Sequence, residues 1–257
     1  MTDQLSLRLR ADLPNHPGGL RPMLPTASAE PFDSPDHLFE PAWGGRRALA
    51  LVGPAPVAGT GAVTFTGEDG LPVGDTPLEL AALAARLDAR SAILDGELVV
   101  VDANGRPDTD ELERRLAGET GRSVAYLAFD LLYLDGRSLL GQPLVRRREA
   151  LRRILDPGDE VVAVPAILGE GRALHAAVTA QGLAGVMARR RTGPYLPGIR
   201  SGLWRFMPAG AATHAIPAGP SDGVAVTPEP VATVHVERAA SAPVLALISR
   251  LPLDLGE

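Results

Sequence analysis

Short blocks of apolar residues run through the middle of the chain, separated by glycine, proline and aspartate. The run at 92–101 (AILDGELVVV) and the segments at 46–52, 62–66 and 124–133 have the length and composition of buried strands. A helical pattern takes over at 77–89, where Thr76 and Pro77 form a typical helix start. Further on, QPLVRRREALRRIL predicts a helix, VVAVP a strand, GRALHAAVTAQG a helix closed by glycine, and AGVMARR another strand. Strands and helices mix irregularly, which predicts an α+β fold.

The two ends differ from this middle. Residues 1–37 are rich in proline and carry little periodicity, so they are expected to form an irregular lead-in, with a folded domain over 38–208. From 209 to 257 the chain becomes an Ala/Pro-rich linker followed by a short segment, too short for another sizeable domain.

Composition changes the chemical picture. All 25 basic residues are arginine, because the 257-residue chain contains no lysine. A lysine nucleophile is therefore excluded, and arginine cannot replace one: guanidinium stays charged and attacks poorly. Cysteine is also absent, which excludes disulfides and thiolate chemistry. The net charge of −6 disfavours tight global DNA binding, since phosphate contacts by cationic side chains supply most of that affinity. No apolar run approaches the roughly 20 residues of a membrane span, and the N-terminus has no signal-type stretch, so a cytoplasmic location without membrane contact is expected.

Four segments carry candidate chemistry. LFEPAWGGRRALALV, residues 38–52, resembles the Lys-x-Asp-Gly-x-Arg nucleophile motif of ATP-dependent DNA ligases, and RPMLPTASAEPFDSPDHLFE resembles the entry segment of bacterial ligase D adenylation domains. On that register Ala42 stands at the lysine position and Gly44 at the aspartate position, while Gly45 and Arg47 fit the pattern. AILDGELVVVD resembles the strand whose glutamate lies near the ribose and the metal, which assigns that place to Glu97; an Asp-Gly pair here equally suits a plain hairpin bend. FDLLYLDG resembles the segment whose aromatic residue lies near adenine, here Phe129, although such a strand is also ordinary core. The arginines at 146–148 read most simply as a solvated helix face.

The fourth segment, residues 182–204, resembles the family's Glu-Gly-x-x-x-Lys strand, with Ala184 and Arg189 at its charged positions. The WRFMP ending lacks both lysines of the family's Trp-Leu-Lys-x-Lys, and TGEDG at 66–70 has Gly67 where a 5′-phosphate-binding arginine belongs. Arg189 and Arg205 remain candidate phosphate contacts, and an exposed solubilising loop is an equal reading of the Arg189–Arg191 cluster. His37 is the nearest alternative nucleophile, and a surface histidine the simpler reading.

The resemblance implies a DNA ligase/mRNA capping enzyme nucleotidyltransferase-like domain, with antiparallel sheets packed with helices. It implies ATP and Mg as cofactors, with Arg47, Glu97 and Phe129 at the nucleotide and Glu97 at the metal. Nicked or broken DNA ends and end-joining proteins are the partners it implies. With the lysine gone, the expectation is a catalytically defective adenylation domain, and the alternative is a non-catalytic scaffold that keeps only the fold.

Overall fold

The computed structural model describes residues 17–53 and 63–210. The chain runs through β1 (Leu24–Ala27), β2 (Ser34–Ala42), β3 (Arg46–Val52), β4 (Val63–Thr66), a 3-10 helix (Leu78–Arg86) and β5 (Ala92–Val99). It continues through α1 (Thr109–Leu116), β6 (Ala125–Leu134), β7 (Arg137–Ser138), α2 (Leu144–Ile154), β8 (Val161–Ala163) and β9 (Ile167–Gly169). The last elements are α3 (Gly171–Ala180), β10 (Gly185–Arg190) and β11 (Arg200–Pro208).

Two sheets form, one in the order β1-β11-β10-β2-β9 and one in the order β4-β3-β5-β6-β7, with β8 beside β6. Neighbours are antiparallel except for β1 with β11 and β6 with β8. The α+β class with antiparallel sheets and packed helices is therefore what forms.

Strand β5 shows why the sequence needs two cores. Its side chains alternate, so Ile93, Asp95, Glu97 and Val99 share one face and Leu94, Gly96 and Leu98 the other. Leu94 and Leu98 join Leu80, Leu83, Leu112 and Leu151 beneath the helices. Ile93 and Val99 join Met23, Tyr195 and Trp204 on the side of the first sheet. A strand covered on both faces wants apolar residues at consecutive positions, hence the nearly unbroken run at 92–101. Helix α3 packs on β2 and β10 of the first sheet. It lies so close that a Cβ on Gly171 would sit 2.4 Å from the Phe39 ring.

The ordered fold starts earlier than the sequence suggests. Strand β1 and the first residues of β2 lie inside the stretch expected to be irregular. Strand β1 pairs with β11, about 175 positions away, as in Leu24 with Arg200, and no local pattern announces such a partner. It is an edge strand, which is where Pro25, without an N–H, is tolerated. The expected helix at 77–89 is a shorter 3-10 helix, and α1 arises where no helix was predicted. The linker and C-terminal segment expected beyond 210 lie outside the described residues.

Candidate functional site

Strand β2 ends at Ala42, which stands opposite Gly185 on β10, and the Ala184 N–H donates to the Ala42 carbonyl at 3.1 Å. The chain then turns through Trp43, Gly44 and Gly45 into β3. Gly44 has φ of +86°, and a Cβ on Gly45 would fall 2.1 Å from the Leu98 carbonyl oxygen, so the turn depends on both glycines. Glu97 staples this turn from β5: its Oε1 accepts from the Gly45 N–H at 2.5 Å and its Oε2 from the Trp43 N–H at 3.3 Å.

Between the sheets, against this turn, is a cavity of about 220 Å³ whose walls include Ala42, Arg47, Glu97, Phe129, Ala184 and Arg189. Residues from all four sequence segments thus meet at one place. Register explains the convergence: Ala42, Glu40, Met187 and Arg189 share a face of the first sheet, as Arg47, Asp95 and Glu97 do of the second.

Buried charges surround the cavity. Arg47 makes a bidentate pair with Asp95, at 2.9 and 2.6 Å, and donates to the Met23 carbonyl at 3.0 Å. The Tyr195 hydroxyl donates to Asp95 at 2.6 Å and accepts from the Met23 N–H at 2.9 Å. Burial works against the Arg47 charge, but Asp95 outweighs it and holds the guanidinium above its ordinary value. Glu40, 1% exposed, pairs with both Arg148 and Arg189. Burial pulls both of these guanidiniums below the usual arginine range. Burial also pushes the Glu97 carboxyl up, against the stabilising N–H groups of Gly45 and Trp43.

Phe129 forms part of the wall, and Trp204 packs edge-on against it. The Arg189 guanidinium carbon lies 3.9 Å from the centre of the Phe129 ring and 4.6 Å from that of Trp204, while Arg47 lies 5.2 and 4.9 Å from the same rings.

The structure brings Ala42, Arg47, Glu97, Phe129 and Arg189 together and leaves Arg205 out. Arg205 is exposed on β11, stacked 5.4 Å from the centre of Phe32. Two readings of arginine need correction. Arg189 is 2% exposed on a strand and paired with Glu40, so it belongs to no solubilising loop. In the run at 146–148 only Arg146 is solvated; Arg147 pairs bidentately with buried Asp130 at 2.8 and 2.7 Å, and Arg148 reaches Glu40 and the Phe129 and Val164 carbonyls. His37 is 8% exposed rather than on the surface, bonded to Ser34 and packed against Phe32. It shares a strand face with Phe39 rather than with Glu40, which keeps it away from the cavity.

Glu40 and Arg148 carry weight that the sequence reading missed. The available signal was a carboxylate set within the apolar end of β2 (Leu38-Phe39-Glu40-Pro41-Ala42), together with more arginines in α2 than a solvated face requires, because buried charges occur in pairs. Glu68, next to Gly67, also reaches the cavity wall.

The cavity volume lies below the roughly 300–1,000 Å³ of small-molecule sites, and the Arg189 guanidinium lies over the Phe129 ring. Among the described residues no three His, Asp or Glu side chains come together as a metal-binding group. Nor, among them, is any helix long and apolar enough to cross a membrane.

A family model described as "ATP dependent DNA ligase domain" matches residues 68–206. Over 187 residues the chain is 36% identical to the multifunctional non-homologous end joining DNA repair protein LigD of Mycobacterium tuberculosis, covering 72% of this chain and 23% of that protein. A LigD protein of Mycolicibacterium smegmatis is 30% identical over 201 residues, covering 78% of this chain and 25% of its own length. The chain therefore spans about a quarter of these relatives. Among solved structures, a mycobacterial DNA ligase D complexed with ATP and MES superposes with a TM-score of 0.61 at 32% identity, covering 74% of this chain and 60% of that one.

Proposed function

Because this chain belongs to the ATP-dependent DNA ligase family, we propose that it is a non-self-adenylating member that serves DNA repair by end joining through its fold and its contacts. The observation that carries this reading is Ala42. It sits on the cavity wall where the resemblance places the nucleophilic lysine, and Gly44 and Ala184 stand beside it in place of two carboxylates. A Cβ on Gly44 would touch the Ala184 Cβ at 3.1 Å, so three truncated positions adjoin. A methyl group cannot attack an α-phosphate, and no lysine exists elsewhere in the chain to do so.

The names of the LigD relatives support a role at broken DNA ends, with end-joining proteins as partners. The small volume of the cavity and the Arg189 guanidinium over the Phe129 ring favour the scaffold form of the reading, in which the domain contributes contacts rather than turnover. Incubation with α-phosphate-labelled ATP and Mg, followed by denaturing electrophoresis, should leave the protein unlabelled, alongside a lysine-bearing ligase D domain that labels. A labelled band from this chain would overturn the reading. Joining of a pre-adenylated nick would remove its scaffold form, since that step does not need the lysine.

A further inference from the structure

We propose that Arg189 is a built-in plug of the cavity: its guanidinium covers the Phe129 ring, Glu40 latches it there, and a nucleotide base can reach that ring only after Arg189 swings away. The inference rests on the reading of this cavity as the remnant of a nucleotide site, and it concerns access rather than catalysis.

Three observations make Arg189 an occupant rather than a wall fixed by the fold. The first is contact geometry. At 3.9 Å from the ring centre, the planar guanidinium lies as close to Phe129 as a stacked base would, and Trp204 at 4.6 Å receives the same charge. No second planar group fits against the covered face of the ring.

The second is the latch. Glu40 holds two arginines, and Arg148 is the better fixed, since it also donates to the Phe129 carbonyl at 2.9 Å and to the Val164 carbonyl at 2.5 Å. Among the described residues no carbonyl accepts from the Arg189 side chain. If it left, Glu40 would keep Arg148 and would not become an unpaired buried charge, so the plugged and open states can both be folded.

The third is a pair of unsatisfied donors. Among the described residues Arg189 Nε and Nη1 have no hydrogen-bond partner although the residue is 2% exposed, and neither has Glu40 Oε2, so Glu40 holds Arg189 by charge without a hydrogen bond. A buried N–H without a partner is costly, so the plugged state carries an unmet electrostatic demand at Arg189. Desolvation of the guanidinium adds to that cost. The Glu40 pair and the two rings offset it.

Opening the plug should therefore create binding. The probes are ATP and adenosine, measured by calorimetric titration and by the thermal midpoint on the full chain, for wild type, Arg189→Ala, Arg189→Gln and Arg189→Ala/Phe129→Ala. Wild type should show no saturable binding at millimolar probe. Arg189→Ala should bind both probes, with an affinity gain of at least tenfold, and the longer uncharged Gln side chain should give a smaller gain. The double variant should lose the gain, because Phe129 is the surface uncovered.

Binding by wild type equal to that of Arg189→Ala would overturn the plug, as would a folded Arg189→Ala or Arg189→Gln protein that binds neither probe. None of these variants contains a lysine, so the absence of a covalent adenylate is unaffected by any of these outcomes and tests the proposed function separately.

Discussion

At the scale of single residues, the arginines show how far a sequence can mislead. Three in a row on a helix read as a wet face, yet Arg147 is 1% and Arg148 2% exposed. The deciding information is the partner, and the partners lie 17 and 108 positions away, at Asp130 and Glu40. A buried pair of this kind is sensitive to losing one member and tolerant of losing both. Asp130→Ala leaves Arg147 buried with only the Gln142 and Gly193 carbonyls, at 2.5 and 3.1 Å, and should cost about 3–5 kcal/mol. Asp130→Leu combined with Arg147→Met fills the same space with apolar atoms and should cost much less than those two changes made singly and summed, which a denaturant-based double-mutant cycle reads as a large coupling between the two positions. Equal losses for the single and the double change would mean that the pair itself is strongly net stabilising. By contrast, Ala42 was legible at once, because a missing functional group is visible without knowing any partner.

At the scale of elements, legibility follows locality. Strands β3, β5 and β6 carry dense apolar runs and lie where the sequence puts them, since their two buried faces leave no other use for those residues. Strands β1, β9 and β11 are short or interrupted by proline and glycine, and they exist through pairing with distant strands. The start of helix α1 is written in the sequence but masked: Asp108 followed three residues later by Glu111 is a cap pattern that stands directly behind the turn signals of ANGRPD. The Asp108 carboxylate accepts from the Glu111 N–H at 3.0 Å and also pairs with Arg122. Asp108→Ala should lower stability by about 1–2 kcal/mol, read as a lower urea midpoint at unchanged slope. Asp108→Asn keeps an acceptor for the cap and should lose less. If the two variants were equally destabilised, the Arg122 pair rather than the cap would hold the helix start.

At the scale of the whole molecule, the question is where the positive charge goes. A chain with 25 arginines could present a strong basic face, yet the net charge is −6 and the structure spends many of these side chains internally. Arg47 serves Asp95, Arg147 serves Asp130, Arg148 and Arg189 serve Glu40, Arg115 serves Glu79, and Arg122 serves Asp108. Arginines that hold a fold together cannot also neutralise phosphates. A protein with 6–10 phosphate contacts loses roughly 10³–10⁵ in DNA affinity between 50 and 200 mM salt, whereas one with a contact or two loses about tenfold or less. The expected outcome for this protein on a nicked duplex is weak binding and the shallow dependence, measured by fluorescence polarisation across that salt range. Reaching a DNA end would then fall to a partner that holds the DNA, with this domain recruited by protein contacts. A steep dependence would reverse that order: it would require a cationic face assembled from arginines outside these internal pairs, and would make direct DNA-end binding the domain's own contribution.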